Sequence, residues 1–249
     1  MGVRKYDLAF SLGGNCSAAH NLLERGLRPF SLPFDWLYVV DERPISYLSE
    51  GLSNRFSDLC RKENLRQLLP GSPEYAESHS DRVQYADDRT GYRFVNHFVR
   101  TIDSPGEYER VHDMLVRRID RMYDALHAGN RFLMLLATPV DVSEETLREL
   151  LGAFRSTFPD KVFELDYLHF GQDAESVSAR DGLTVRNVRR EQNDYDFLRT
   201  NWEWRFLDDI EIQAHAEMHP QERRHRKLSF RIWPHVDCVV RLVREGEGD

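Results

Sequence analysis

Hydrophobic and polar positions alternate most regularly in the second half of the chain. Between Glu107 and Leu126 the apolar residues recur at helical spacing, which predicts an amphipathic helix ending near Gly129. Residues 131–137 then form a continuous apolar run, typical of a strand that is buried on both faces. A further helix and two further strands are predicted over residues 143–154, 161–165 and 183–188. This strand–helix–strand order predicts parallel pairing, with helices on the faces of the sheet.

The first half of the chain opens with the same strand-to-helix order. Residues 5–11 predict a strand and residues 17–24 a helix, and a turn containing two glycines joins them. A short helix is predicted from Pro44 to Glu50, because proline favours the first helical position. Two strand-like runs, residues 83–86 and 92–98, flank a turn and predict a β-hairpin. Residues 60–82, broken by two prolines and a glycine, predict an irregular surface segment.

The C-terminal part of the chain is less regular. Residues 194–218 predict mostly helix, and residues 228–233 and 237–242 predict two last strands. No linker-like segment divides the chain. The predicted fold class is therefore α/β, with a single domain over residues 1–244, a mixed and mostly parallel sheet, and helices on both faces. A flexible tail is predicted over residues 245–249, and an α+β papain-like arrangement is the alternative fold class.

Composition narrows the classes of function. The chain has 249 residues and a formal net charge of −8, which argues against a general nucleic-acid or membrane-surface binder. No apolar run reaches the length of a signal peptide or of a membrane helix. Three widely spaced cysteines do not form a disulfide framework, and they fit a reducing compartment. We therefore predict a cytoplasmic protein without a cofactor or metal, whose partner is a small-molecule or peptide substrate.

A cysteine stands where the first strand ends and the first helix begins. In Ser11-Leu12-Gly13-Gly14-Asn15-Cys16-Ser17, the unpaired N–H groups and the positive end of the helix dipole favour an anion at the cysteine. Such a position lowers a thiol pKa and makes the thiolate a nucleophile. Asn15 and nearby backbone N–H groups are candidates to stabilise an oxyanion. The alternative interpretation is a buried cysteine in an ordinary β–α turn.

A thiol nucleophile needs a base, and the base needs a side chain that orients it. Of ten histidines, His97 is the candidate base, because it interrupts an apolar strand between Val95 and Phe98. Asp35 lies in the apolar stretch Pro33-Phe34-Asp35-Trp36, where an unpaired carboxylate is costly, and it is the candidate orienting acid. The alternatives are a hydrogen-bonded edge-strand histidine and an aspartate that caps the following turn.

Three motifs in order resemble one family. They are Ser11-Leu12-Gly13-Gly14-Asn15-Cys16 followed by Leu27-Arg28, then Ser31-x-Pro33-Phe34-Asp35-Trp36-Leu37, and then Phe94-Val95-Asn96-His97-Phe98 with the basic helix around Arg117–Arg121. The chain resembles a bacterial family of unknown function that is catalogued as papain-like cysteine peptidases, over roughly residues 5–140. The resemblance implies that Cys16 is the nucleophile, His97 the base, and Asp35 an orienting or structural acid. Asn96 departs from the acidic residue or histidine expected in many relatives.

The resemblance and the predicted fold do not agree in every respect. A papain-like core places its nucleophile on a helix packed against an antiparallel sheet, whereas this chain predicts β–α–β alternation with the cysteine after the first strand. The carboxyl end of such a sheet is where ligands usually bind. The residues predicted to contact a ligand there are Gly13, Gly14, Asn15, Ser17, Trp36 and Asn96.

A different class of function stays open at the same turn. In it, the chain is a non-peptidase α/β domain that binds or transfers a nucleotide, a sugar phosphate or another phosphorylated ligand. The Gly13-Gly14 turn and the helix N-terminus would hold the phosphate, and Cys16 would only pack. A dinucleotide fingerprint is absent, since the turn lacks the G-x-G-x-x-G spacing.

Two weaker patterns lie near the C-terminus. His215 and His219 are four residues apart, so a helix would place them on one face, and His225 or Cys238 could complete a metal site. A solvated helix end is the preferred interpretation. Arg223-Arg224-His225-Arg226-Lys227 is a basic cluster that fits either a phosphate site or a solvated face.

Overall fold

The computed structural model describes residues 3–189, 202–213, 229–232 and 236–239. The chain divides into two compact units, residues 1–213 and residues 214–249. The strands of the first unit are β1 (Arg4–Tyr6), β2 (Leu8–Ser11), β3 (Leu65–Leu68), β4 (Val83–Asp87), β5 (Arg93–Phe98), β6 (Arg131–Thr138), β7 (Val162–Phe170), β8 (Ser176–Arg180), β9 (Leu183–Val188) and β10 (Ile210–Ile212). Its helices are α1 (Cys16–Glu24), α2 (Arg43–Gly51), α3 (Glu107–Ala128) and α4 (Glu144–Thr157), with 3-10 turns at Lys62–Asn64, Glu77–His79 and Trp202–Leu207.

The central sheet has five strands in the order β2-β6-β7-β9-β8. The first four are mutually parallel, and β8 pairs antiparallel with β9 at one edge. Seven of the eight residues of β6 are buried, as the continuous apolar run predicts for a strand covered on both faces. The predicted fold class is therefore confirmed: a mixed, mostly parallel α/β sheet.

Helices cover both faces of this sheet. On one face, Ala18 and Leu22 of α1 join a cluster of buried side chains from β6, β7 and β9. On the other face, α4 packs through Phe154, whose ring lies 6.2 Å from that of Phe10 and 5.3 Å from that of Phe163. The alternation of side chains along each strand thus supplies two separate apolar layers.

The predicted first strand is divided into β1 and β2 at Asp7. The Asp7 carboxylate accepts hydrogen bonds from the backbone N–H groups of Asn130, at 2.6 Å, and Arg131, at 2.9 Å. It thereby satisfies the amide groups at the start of β6. Before this break, β1 pairs in parallel with β10, and after it β2 pairs in parallel with β6. One extended segment therefore has two different partner strands.

A separate antiparallel sheet has the order β3-β4-β5. The pairing of β4 with β5 confirms the predicted hairpin. The prediction of irregular structure over residues 60–82 was wrong at β3, whose two middle side chains are exposed, so that it lacks an alternating apolar pattern. This sheet is joined to the turn after β2 through Tyr38, which bridges both Gly14 and Arg93.

Two further predictions need correction. β8 was missed, since all five of its residues are exposed and none produces an alternating apolar pattern. Residues 194–218 were predicted mostly helical, but 202–207 form a 3-10 turn and 210–212 a strand that completes a backbone ladder with β1. In the second unit, β11 (Ser229–Ile232) and β12 (Val236–Val239) confirm the two last strands, and they pair antiparallel, which was not predicted.

Some predictions fall outside the described residues. They are the domain boundary at residue 244 and the tail over residues 245–249, which stay predictions. Among the helices that the structure describes, none is long and apolar enough to span a membrane.

Candidate functional site

The turn between β2 and α1 is packed against the rest of the protein. Gly13 and Gly14 have φ values of +99° and +110°, which favour glycine. A Cβ atom on Gly14 would overlap the carbonyl oxygen of Ala137, and one on Gly13 would lie 3.0 Å from the Tyr92 ring. The glycines therefore allow close approach of the chain's own atoms at the turn.

Asn15 and Cys16 begin helix α1 at the carboxyl end of β2. Asn15 is the N-cap residue, and its Oδ1 accepts a hydrogen bond from the Ser17 N–H at 2.7 Å. Cys16 is the first helical residue and is partly exposed. The predicted location of Cys16, at the junction between the first strand and the first helix, is thereby confirmed.

The electrostatic expectation for this cysteine was wrong. Burial raises the pKa of the Cys16 thiol, while a hydrogen bond from Tyr38 opposes that rise. The free-energy cost of removing the thiolate from water is larger here than the stabilisation that the start of the helix gives to an anion. The resting thiol is therefore protonated at neutral pH, and it needs a base in order to act as a nucleophile.

Asp35 is fully buried and paired with Arg28. Its Oδ2 accepts hydrogen bonds from Arg28 Nη1 at 2.7 Å and from the Leu32 N–H at 2.8 Å. Within the described residues, Asp35 Oδ1 has no hydrogen-bond partner. Burial raises the pKa of the Asp35 carboxyl, and the Arg28 guanidinium opposes this rise.

His97 lies in β5 and is 7% exposed. Its ring contacts that of Phe94 edge to face, and neither ring nitrogen has a hydrogen-bond partner in the part of the chain that the structure describes. Burial, together with the positive charges of Arg118 and Arg110, lowers the pKa of His97 to about 3. The imidazole is therefore neutral throughout the physiological pH range.

The structure does not join Cys16, His97 and Asp35 into one hydrogen-bonded chain. Asp35 and His97 do share a neighbour, since the charge of Arg118 acts on the pKa of both. The charge of the basic helix thus acts on a titratable residue of the second motif and on one of the third. The side chain whose hydrogen bonding acts on the pKa of the Cys16 thiol is instead Tyr38.

The remaining residues predicted to contact a ligand have mixed surroundings. Trp36 is half-buried, with the Arg28 guanidinium 5.6 Å from its ring centroid, and Asn96 is half-buried in β5. Ser17 is 4% exposed, and its Oγ has no hydrogen-bond partner among the residues described. Their roles as ligand contacts stay predictions.

Two side chains near Cys16 were not among the predicted site residues. Tyr38 follows the second motif directly, but its contact depends on backbone bridges that no local pattern reveals. His20 lies one helical turn after Cys16, and its Nε2 is 3.5 Å from the Glu24 carboxylate. The i, i+4 spacing could have identified His20, because it places Cys16, His20 and Glu24 along one face of α1. Burial lowers the pKa of His20.

The other candidate sites have little support. Within the described residues, no group of three or more His, Cys, Asp or Glu side chains could hold a metal ion. The His215–His219 pair and the Arg223–Lys227 cluster lie outside those residues. A cleft of about 400 Å³ at the β8–β9 hairpin, lined in part by Ser176, Asn187 and Phe206, contains no nucleophilic thiol.

Comparisons with known proteins agree with the motifs. A sequence model of the family described as "Putative papain-like cysteine peptidase (DUF1796)" matches residues 7–169. An uncharacterized protein of Acanthamoeba polyphaga mimivirus is 26% identical over 152 residues, which cover 58% of this chain and 68% of that protein. No solved structure matches the chain. The family match runs from just before β2 into β7 and includes Cys16, Asp35 and His97. It covers well over half of the chain, and the chain therefore belongs to this family.

Proposed function

We propose that this protein is a thiol-dependent hydrolase or acyltransferase that acts on an amide or thioester, with Cys16 as its nucleophile. The observation that carries the proposal is the position of Cys16: partly exposed, first in α1, and at the carboxyl end of a parallel strand. Ligands of α/β sheets bind at that edge. Cys60, in contrast, is fully buried.

The chemistry follows from a neutral thiol. A base takes the thiol proton as Cys16 Sγ bonds to the substrate carbonyl carbon, and the C=O electron pair moves onto oxygen. Collapse of this intermediate expels the amine or thiol, which takes the proton from the base. Water, or an acceptor nucleophile in a transferase, then attacks the thioester and releases Cys16. Asn15 Oδ1 is held by the Ser17 N–H, which leaves its Nδ2 amide as the donor that we propose for the oxyanion.

We propose His97 as the base, on its place in the third motif. Because its ring does not hydrogen-bond Cys16 in the resting structure, this role requires the site to tighten when substrate binds. Its low pKa is a second obstacle, since an efficient base has a pKa near the working pH. His20 is the competing base, because it lies on the same face of α1 and has Glu24 at 3.5 Å to orient it.

The phosphate-binding alternative is less well supported. It requires an open glycine turn, whereas Gly14 abuts the Ala137 carbonyl and the Gly14 oxygen accepts a hydrogen bond from the Val39 N–H at 3.1 Å. The Ser17 N–H, a donor that a phosphate would need, is already bonded to Asn15. The thiol chemistry is therefore the better match to the site.

The test is acyl transfer from a small activated ester. Incubation with p-nitrophenyl acetate should give an acetyl adduct on the Cys16 peptide by mass spectrometry, followed by its loss as p-nitrophenolate release continues. Cys16→Ala should abolish the adduct and the turnover, and Cys60→Ser should retain both. Full turnover in Cys16→Ala would overturn the proposal.

The same assay separates the two histidines. Removal of a general base typically slows the reaction by about 10²–10⁴-fold. We expect His97→Gln to slow acylation by such a factor and His20→Gln to have a smaller effect. The reverse order would assign the base to His20 and leave the role of Cys16 intact.

A further inference from the structure

His97 lies in an irregular part of strand β5. In the pairing of β5 with β4 the register shifts between Phe94 and Phe98, so that residues 95–97 face a single residue of β4. A β-bulge of this kind bends its strand and changes the direction of the side chains on it, and bulges are common beside active sites. The regular ladder of the sheet therefore does not by itself set the orientation of His97.

A side chain of α3 holds the backbone of His97. Arg110 Nη2 donates a hydrogen bond to the His97 carbonyl oxygen at 2.7 Å, and it also donates to Glu107 Oε1 at 2.6 Å. A charged donor forms a stronger hydrogen bond to a carbonyl than a neutral one does. Because the carbonyl belongs to His97 itself, this bond restrains the peptide group from which the imidazole projects.

Glu107 restrains both this arginine and the end of the strand. Its side chain is 2% exposed, and its Oε1 accepts hydrogen bonds from the N–H groups of Val99, at 2.7 Å, and Arg100, at 3.4 Å. The hydrogen bonds from Arg110 hold the pKa of Glu107 at about 2, so the carboxylate stays charged at neutral pH. One buried anion thus joins the first turn of α3 to the residues directly after the bulge.

The imidazole has few other restraints. Neither ring nitrogen of His97 has a hydrogen-bond partner among the residues that the structure describes, and the ring contacts Phe94 edge to face at 5.3 Å. Its direction is therefore set by packing and by the backbone that Arg110 and Glu107 hold.

We propose that Arg110 and Glu107 are positioning residues for His97: together they hold the bulge of β5, so that the imidazole keeps the orientation in which it acts as the base. The catalytic part of this inference rests on the proposed function. The restraint of the backbone does not, because its hydrogen bonds exist whether or not a substrate is present.

The first test needs no substrate. Hydrogen exchange of the backbone amides is compared between native protein and Arg110→Gln, and loss of the guanidinium should speed exchange at Val99 and Arg100 by about tenfold. Arg148→Gln is the matched control, because Arg148 donates to Glu144 at 2.7 Å within α4, and it should leave exchange in β5 unchanged. Native exchange rates at Val99 and Arg100 in Arg110→Gln would overturn the inference.

The second test uses turnover of p-nitrophenyl acetate. Arg110→Gln should lower kcat by about tenfold to a hundredfold with KM unchanged, because a misplaced base slows the chemical step rather than binding. The positive charge of Arg110 helps to lower the pKa of His97, so its loss moves that pKa toward the working pH and would by itself favour catalysis. Slower turnover therefore reports the position of the imidazole and not its basicity.

A double variant separates positioning from a general structural role. In a His97→Gln background, Arg110→Gln should change kcat little, because it acts through His97. Equal losses of kcat in the two backgrounds, or faster turnover in Arg110→Gln alone, would overturn the inference. Full turnover in Cys16→Ala would instead overturn the proposed function and leave the hydrogen-exchange result intact.

Discussion

Arg28 Nη1 lies 2.7 Å from Asp35 Oδ2, and the two side chains are 7% and 0% exposed. The Arg28 guanidinium also lies over the Trp36 ring. The Leu27-Arg28 pair and the Pro-Phe-Asp-Trp motif are therefore one structural unit, in which each charge depends on the other for stabilisation. This relationship gives the second motif a role in stability, separate from any part it takes in the chemistry.

Breaking this pair should destabilise the fold strongly. Asp35→Ala leaves Arg28 buried without its carboxylate, and removal of one partner of a buried pair costs about 3–5 kcal/mol. Urea unfolding followed by circular dichroism measures the loss. Asp88→Ala is the control, because Asp88 pairs with Arg66 while the two side chains are 51% and 49% exposed, and its loss should cost less than about 1 kcal/mol. Equal losses of unfolding free energy in the two variants would show that the buried Arg28–Asp35 pair contributes no more to stability than the exposed Arg66–Asp88 pair.

His97 should make the protein sensitive to mild acid. Its folded pKa of about 3 lies below the unfolded value of 6.5, so the unfolded chain binds the extra proton between these values. Stability is fully present above pH 6.5 and falls as the pH drops toward 3, by about 1.4 kcal/mol per unit.

The measurement compares the free energy of unfolding at two pH values. Between pH 6.5 and pH 5 the native protein should lose about 2 kcal/mol through this histidine, and His97→Gln should lack that part of the loss. The subtraction removes the carboxyl groups that titrate in both proteins. Parallel pH profiles for the two proteins would show that His97 is not held neutral by its surroundings.

Gly14 should tolerate no side chain. A Cβ atom at this position meets the Ala137 carbonyl, and φ is +110°, so Gly14→Ala combines an overlap with an unfavourable backbone conformation. We expect a loss of about 3 kcal/mol or more in thermal or urea unfolding. Gly71→Ala is the control, since its φ is +80° and no atom lies within 4 Å of the added Cβ, and it should cost roughly 1 kcal/mol. A mild effect of Gly14→Ala would mean that the turn can separate from β6.

Cys16 and Cys60 should react with alkylating reagents at very different rates. Cys16 is partly exposed, whereas Cys60 is fully buried and burial, together with the charge of Asp87, raises its thiol pKa. Alkylation of the native protein should therefore modify Cys16 first, with a pH midpoint above that of free cysteine because burial raises its pKa too. In urea the two rates should become similar. Faster native labelling of Cys60 would contradict the burial on which this order depends.

The sequence predicts the elements whose apolar pattern is local. The run over β6 and the helical spacing over α3 identified both elements, and the strand-to-helix junction placed Cys16 correctly. β8 escaped prediction because all of its side chains are exposed, and β3 escaped because its two middle side chains are exposed and its buried positions do not alternate. Hydrophobic periodicity arises where one face of an element is buried, so it does not identify a strand that is exposed on both faces.

The candidate site was less predictable than the fold. The protonation state of His97 is set by Arg110 and Arg118, which reach it from another element, and the raised pKa of Cys16 is set by how the surrounding chain covers it. Tyr38 is brought beside the Gly14 turn by backbone bridges between distant segments. Such tertiary contacts determine the protonation states of the site residues, whereas a sequence motif shows only which residue types are present.

The pairing of β1 with β10 also bears on how the chain is made. Arg4 lies opposite Ile210, so β1 finds its partner strand only after some two hundred further residues have been synthesised. Until then the outer edge of β1 offers unpaired amide groups to any extended chain nearby. Nascent chains released before residue 213 should thus be prone to aggregation and dependent on chaperones, even though they contain all of the family-matched region.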